Sequence, residues 1–153
     1  MFGLGIYDRL VVLFQRLDFL PPLLARVIIG GVFITAGWGK LQHIDKFIEY
    51  LQSLNVPVAS IQAPFVAACE LVFGVAILIG LFTRISTIPL MGIMAVAIMK
   101  AKKNEIIEIT SLFKFTEFLY IALLLWLLIR GAGLISVDRT LLGITGRKEA
   151  GNG

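Results

Sequence analysis

Four apolar blocks dominate this chain, and each is long enough, or nearly long enough, to cross a lipid bilayer. A spanning helix needs roughly 20 predominantly apolar residues. Because lipid offers no partners for backbone N–H and C=O groups, each block should be an α-helix, and an open sheet is excluded. The predicted spans cover residues 20–39, 61–82, 85–102 and 115–130. We therefore expect an all-α, polytopic membrane protein built as a four-helix bundle.

The composition supports a membrane protein and excludes several other classes. Of the 153 residues, 58% are hydrophobic, and the mean hydropathy is +0.93, more apolar surface than a soluble domain of this size can bury. The net charge of +4 fits contact with anionic lipid headgroups. Aromatic and basic residues are not interleaved, so we predict no nucleic-acid binding. With one cysteine, Cys69, and one histidine, His43, the chain is predicted to hold no metal.

Two segments outside the spans have amphipathic patterns. Residues 1–19 are predicted to form an N-terminal interfacial helix, and residues 44–54 a three-turn helix between the first two spans. The second helix is expected to cover the bundle or to lie along the interface. Residues 20–142 form the predicted membrane domain, and residues 143–153 a disordered tail. The apolar stripe of the first segment is Ile6, Leu10, Leu13, Phe14 and Leu17. The apolar stripe of the second is Ile44, Phe47, Ile48, Leu51 and Leu54.

One face of the first span combines charged and small residues. Arg26, Gly30, Phe33, Gly37 and Lys40 follow one another at helical spacing. An ionisable side chain inside a membrane helix is a candidate functional residue, because its burial is costly. Arg26 is close enough to the end of the span to act alternatively as a snorkelling anchor.

Other charged residues are predicted to lie near Lys40. Counting about 1.5 Å per residue places Glu70, Glu117 and Lys100 at similar depths, in the half of the bundle away from the termini. His43 lies on the loop beyond that half. We predict a polar pocket there, because two carboxylates at one level need a cation or a proton between them. The alternative is a set of ion pairs that only fixes helix packing.

Apolar and small residues complete the predicted site. Phe33, Trp38, Phe73 and Tyr120 are the candidate lining residues. Gly30, Gly37 and Gly74 are expected to let helices approach closely.

Four stretches resemble, in order, the signatures of the DoxX family of small bacterial and archaeal membrane proteins. They cover most of the chain from about Leu23 to Leu141. The stretches are residues 26–40 (RVIIGGVFITAGWGK), residues 55–57 (NVP), residues 70–84 (ELVFGVAILIGLFTR), and Glu117-Phe118 followed by residues 131–138 (GAGLISVD).

The resemblance implies a four-helix inner-membrane protein associated with oxidoreductase systems. Some members are similar to the membrane subunit of thiosulfate:quinone oxidoreductase, which makes a quinone the candidate ligand and a membrane or peripheral redox protein the candidate partner. The resemblance also implies cytoplasmic termini. The chain lacks the paired cysteines of disulfide-generating quinone enzymes, so direct thiol chemistry and a self-contained redox centre are not expected.

Three functions are compatible with these features. The first is a quinone-binding subunit of a redox complex, with Lys40, Arg26 and a protonatable Glu70 facing the headgroup. The second is a proton- or cation-coupled carrier that uses Glu70 and Glu117, which would require a homo-oligomer to build a pathway. The third is a non-catalytic scaffold subunit. Seven basic residues on the terminus side against six on the other leave the orientation undecided by charge.

Overall fold

The computed structural model describes residues 11, 17–101, 113–133, 136 and 137. Within these ranges the chain is all-helical. Helix α1 spans Leu20–Gln42, α2 Ile44–Ser53, α3 Ala59–Ile79, α4 Thr83–Ala101 and α5 Thr116–Arg130. The predicted N-terminal helix, apart from residues 11 and 17–19, and the predicted C-terminal tail lie outside the described residues. The proposed domain limits and the side of the membrane that holds the termini stay predictions.

The predicted polytopic helical membrane fold is confirmed, with a difference in the number of full-length spans. Helices α1, α3 and α4 are long and apolar enough to cross a membrane, and between 22% and 39% of each spanning window is buried inside the protein. Most of their apolar surface must therefore face lipid. Helix α5 has 15 residues, so it is only about 22 Å long, shorter than the roughly 30 Å hydrocarbon core.

The long helices form a ring around a single apolar core. The most extensive contacts join α1 to α3 and α4 to α5, and the contacts of α3 with α4 and of α1 with α5 close the ring. Helix α2 lies mainly on α3. The core is formed by Ala25, Ile29, Phe33, Ile77, Leu90, Met94, Leu124 and Leu127.

Two helix boundaries follow from local backbone chemistry. Pro21 and Pro22 occupy the first turn of α1, where a missing N–H costs nothing. The second predicted span ends three residues early, at Ile79, because Gly80 adopts a left-handed conformation with φ +74° and caps the helix. The turn between α3 and α4 is therefore residues 80–82, whereas the sequence placed it at Thr83-Arg84, which lie in the first turn of α4.

Candidate functional site: a lysine–glutamate pair under an amphipathic helix

Glycines bring the backbones of α1 and α3 into direct contact. A Cβ atom on Gly37 would lie 2.7 Å from the carbonyl oxygen of Ala67 and 2.7 Å from the amide nitrogen of Leu71. Further along, a Cβ atom on Gly30 would lie 2.9 Å from the carbonyl oxygen of Gly74. Such close approach is typical of small residues at membrane helix interfaces. The contact sets the antiparallel register of α1 and α3, and thereby the height of every charged residue on them.

This register brings Lys40 and Glu70 together. The Lys40 Nζ donates hydrogen bonds to both carboxylate oxygens of Glu70, each at 2.6 Å. Glu70 is fully buried, whereas the Lys40 side chain is 28% exposed. Because Gly37 already lies level with Glu70, Lys40 sits about one turn nearer the end of α1. Its four-carbon stem therefore extends back into the bundle to reach the carboxylate.

An aromatic ring completes the surroundings of the ammonium group. Lys40 Nζ lies 5.0 Å from the ring centroid of Phe47 on α2, within the range of a cation–π interaction. Phe47 is in turn stacked against Tyr50, with centroids 6.5 Å apart. Phe47 appeared in the sequence only as one member of an apolar stripe. The sequence could not assign it to the site, because the stripe does not show which side chain on α1 it faces.

Arg26 does not belong to this site. It lies fourteen residues before Lys40 on the same helix, or about 21 Å away along the axis. Its guanidinium lies against Gly80, at the turn between α3 and α4. Arg26 is 2% exposed, and the anchoring role considered for it stays a prediction. The one inward face predicted for α1 thus serves two separate polar regions at opposite ends of the bundle.

The predicted partners of Glu70 on α4 and α5 are not brought to it. Glu117 is partly exposed in the first turn of α5, where the helix dipole favours a carboxylate. It forms no salt bridge with any residue in the described ranges. Lys100 and His43 are both exposed.

The four candidate lining residues divide into an inner and an outer group. Phe33 is 1% exposed, and its ring centroid lies 6.1 Å from that of Tyr120. Phe73 and Tyr120 pack against the core. Trp38 is 55% exposed, so it lies on the outer surface of α1 and does not line the bundle interior.

A pocket of about 300 Å³ lies at the start of α5 and includes neither Lys40 nor Glu70 among its lining residues, which are Phe113, Lys114, Phe115, Thr116, Phe118, Leu119 and Ala122. Among the described residues, His, Cys, Asp and Glu side chains form no group of three that could hold a metal ion.

The Lys40–Glu70 pair leaves an N–H donor of the Lys40 ammonium group available for a ligand. An ammonium group carries three N–H donors, and its contact with the two oxygens of Glu70 uses at most two of them. The third can donate to a carbonyl or other acceptor oxygen of a ligand that reaches the exposed side of Lys40. Glu70 can accept a proton when its partner is engaged elsewhere. The pair can therefore bind a polar headgroup and exchange a proton with it.

Comparisons with known proteins agree with this architecture. Residues 22–103 match the DoxX family. "Inner membrane protein YqjF" of Escherichia coli (strain K12) is 30% identical over 127 residues, which cover 83% of this chain and 96% of that protein. "Putative oxidoreductase CatD" of Bacillus subtilis (strain 168) is 41% identical over 63 residues, or 41% of this chain and 46% of that protein.

A further relative matches a shorter stretch. "Inner membrane protein YphA" of Escherichia coli (strain K12) is 31% identical over 62 residues, which cover 40% of this chain and 44% of that protein. No solved structure matches the chain. The family match covers more than half of the chain, and the similarity to YqjF covers most of it. The chain therefore belongs to the DoxX family.

Proposed function

We propose that this protein is an inner-membrane subunit associated with an oxidoreductase system, and that it binds a quinone or a similar lipophilic carbonyl compound beside Lys40. The observation that carries the proposal is the salt bridge between Lys40 and the fully buried Glu70. A carboxylate inside a membrane helix is costly and marks a functional site by default. Here it is matched with a lysine that keeps one donor available.

The chemistry of a quinone fits this arrangement. A quinone headgroup has two carbonyl oxygens, which require hydrogen-bond donors, and its reduction takes up protons. Lys40 supplies the donor, Glu70 supplies a group that can hold a proton, and the Phe47 ring offers an apolar face for the flat headgroup. The isoprenoid tail would remain in the lipid that surrounds the exposed apolar side chains of α1 and α3.

The relatives support the cellular context of the proposal. Two of them are named as inner membrane proteins. A third is named as a putative oxidoreductase, and this chain matches 46% of its length. The single cysteine of this chain cannot form an internal disulfide. In the proposed role the electrons therefore pass between the bound ligand and a partner redox protein.

The test is quinone retention during purification. The protein is extracted in mild detergent, and bound quinone is measured by native mass spectrometry and by solvent extraction. We expect quinone in the wild-type protein and its loss in Glu70→Gln. The matched control is Glu49→Gln, because Glu49 is exposed on α2. Wild-type preparations free of quinone, or equal retention in Glu70→Gln and Glu49→Gln, would refute the proposal.

A buried carboxylate paired with a lysine also supports a second function, a proton- or cation-coupled carrier. Reconstitution in liposomes distinguishes the two functions. A carrier would produce a flux that disappears in Glu70→Gln, whereas a quinone-binding subunit would retain quinone and show no such flux.

A further inference from the structure

Helix α2 lies over the Lys40–Glu70 pair with little to hold it there. None of its ten residues is buried, although its apolar stripe faces the bundle. Its contacts are mainly with α3, and those with α1 are few. The free energy that keeps such a helix in place is small, since it scales with the apolar area removed from solvent. Few buried contacts are typical of segments that open locally.

The ends of α2 are suited to a rigid-body movement of the helix. At its start, only His43 separates α2 from α1, and this residue has a non-helical conformation with φ −125° and ψ 46°. At its far end, Asn55 and Val58 both have left-handed conformations, with φ of 53° and 52°. A β-branched residue such as Val58 rarely adopts this conformation. The connection to α3 is thus strained, and a change of its dihedral angles would relieve the strain.

The contact between Lys40 and Phe47 connects α2 to the site. Lys40 Nζ is hydrogen-bonded to both carboxylate oxygens of Glu70, and the Phe47 ring lies 5.0 Å from the same nitrogen. A ligand that approaches the Lys40 ammonium group from the side of α2 must therefore displace the ring or slide between the ring and the ammonium group. We propose that α2 is a gate over the Lys40–Glu70 pair and that Phe47 is the latch that holds it closed.

The identity of the ligand that passes the gate rests on the proposed function. That ligand is a lipophilic compound with an acceptor oxygen. A ligand with a flat ring fits beside Phe47, because the ring can stack on Phe47 while an oxygen of the ligand accepts a hydrogen bond from Lys40. The closed state, by contrast, depends only on the protein itself. It can therefore be tested without any ligand.

The experiment measures how fast the Lys40 amine reacts with a water-soluble acetylating reagent in the full-length protein. Acetylation is followed by peptide mass spectrometry, and the exposed Lys46 is the internal standard. Phe47→Leu keeps an apolar side chain but removes the ring face, so labelling of Lys40 should increase about three- to tenfold, as expected for the loss of one cation–π contact. Phe47→Trp keeps the ring face and should leave labelling at the wild-type rate or below.

Gln52→Ala is the matched control on the same helix. Gln52 is exposed, and among the described residues its side chain has no contact with Lys40 or Phe47, so labelling should not change. Hydrogen–deuterium exchange should rise in residues 44–53 of Phe47→Leu and stay constant in α1 and α3. An unchanged rate in Phe47→Leu, an equal increase in Phe47→Leu and Phe47→Trp, or faster exchange throughout the bundle would overturn the gate.

The two proposals fail separately. If wild-type protein retains no quinone but Lys40 is labelled faster in Phe47→Leu than in Phe47→Trp, the quinone-binding function is wrong and the gate stands. If quinone is retained and lost with Glu70→Gln while Phe47→Leu leaves the Lys40 amine protected, the function stands and the gate is wrong.

Discussion

Lys40 Nζ lies 2.6 Å from both carboxylate oxygens of Glu70, a residue thirty positions further along the chain. The two partners are unequal, because Glu70 is fully buried and the lysine side chain is partly exposed. Lys40 can turn toward the headgroups if its partner is lost, whereas the carboxylate has no comparable escape. The consequences of breaking the pair should therefore depend on which side is removed.

The first prediction concerns this asymmetry. Lys40→Met should lower the free energy of unfolding by about 3–5 kcal/mol, because it leaves a buried carboxylate without its cation. Glu70→Gln should lower it by only about 1–2 kcal/mol, the cost of a lost charged hydrogen bond. The double variant Lys40→Met/Glu70→Gln should be more stable than Lys40→Met alone.

Denaturant unfolding in mixed micelles measures these free energies. Lys46→Met and Glu49→Gln form the control pair, since both residues are exposed on α2 and their effects should add within about 0.5 kcal/mol. Additive effects at Lys40 and Glu70 would show that the two residues do not interact in solution.

The second prediction concerns the contact of α1 with α3. Gly37→Ala should destabilise the protein by about 1–3 kcal/mol, because its Cβ atom would lie 2.7 Å from two backbone atoms of α3. Gly39→Ala is the matched control two residues away, where no atom lies within 4 Å of the new Cβ. It should be neutral or slightly stabilising, since alanine favours a helix more than glycine does. Equal melting temperatures for the two variants would contradict the described register.

The third prediction concerns the turn between α3 and α4. Gly80→Ala should be destabilising for two reasons, the positive φ of Gly80 and the Arg26 guanidinium that occupies the space of the new Cβ. The backbone contribution alone is about 1–2 kcal/mol. Gly92→Ala on the open face of α4 is the control and should be neutral or slightly stabilising. A Gly80→Ala protein as stable as Gly92→Ala would contradict both the left-handed conformation of Gly80 and the position of Arg26 beside it.

The fourth prediction separates the inner from the outer aromatic residues. Trp38→Leu should affect neither stability nor quinone retention, because the indole is largely exposed on the outside of α1. Phe33→Ala should lower the free energy of unfolding by about 3–5 kcal/mol, as is typical of a large buried side chain. Thermal unfolding and the quinone assay are run on both variants. Loss of quinone in Trp38→Leu would move the ligand to the outer face of α1.

Much of the fold was predictable from local pattern. The apolar blocks place α1, α3, α4 and α5 to within a few residues, because lipid accepts only apolar segments with internally bonded backbones. The stripe from Ile44 to Leu54 identifies α2 for the same kind of reason. The end of α3 was missed by three residues, since the left-handed cap at Gly80 could not be distinguished from the other glycines of the chain.

The candidate site was predictable only in part. The sequence indicated that Lys40 and Glu70 are ionisable residues in the same half of the bundle. It also grouped Arg26, Glu117, Lys100 and His43 with them, and it left Phe47 out. Counting residues along straight spans gives depth within one helix, but it cannot give the offset between helices.

By itself, the sequence determined that this protein is a helical membrane protein of the DoxX type, with charged residues at defined depths in its spans. Those properties depend on periodicity, apolar length and short motifs, which are local. Only the tertiary structure decided that Lys40 meets Glu70 under Phe47 and that Arg26 lies at the opposite end beside Gly80. The physical reason is that the close contact of Gly30, Gly37 and Gly74 sets the register of α1 against α3. A contact between two helices cannot be derived from the residue pattern of either helix alone.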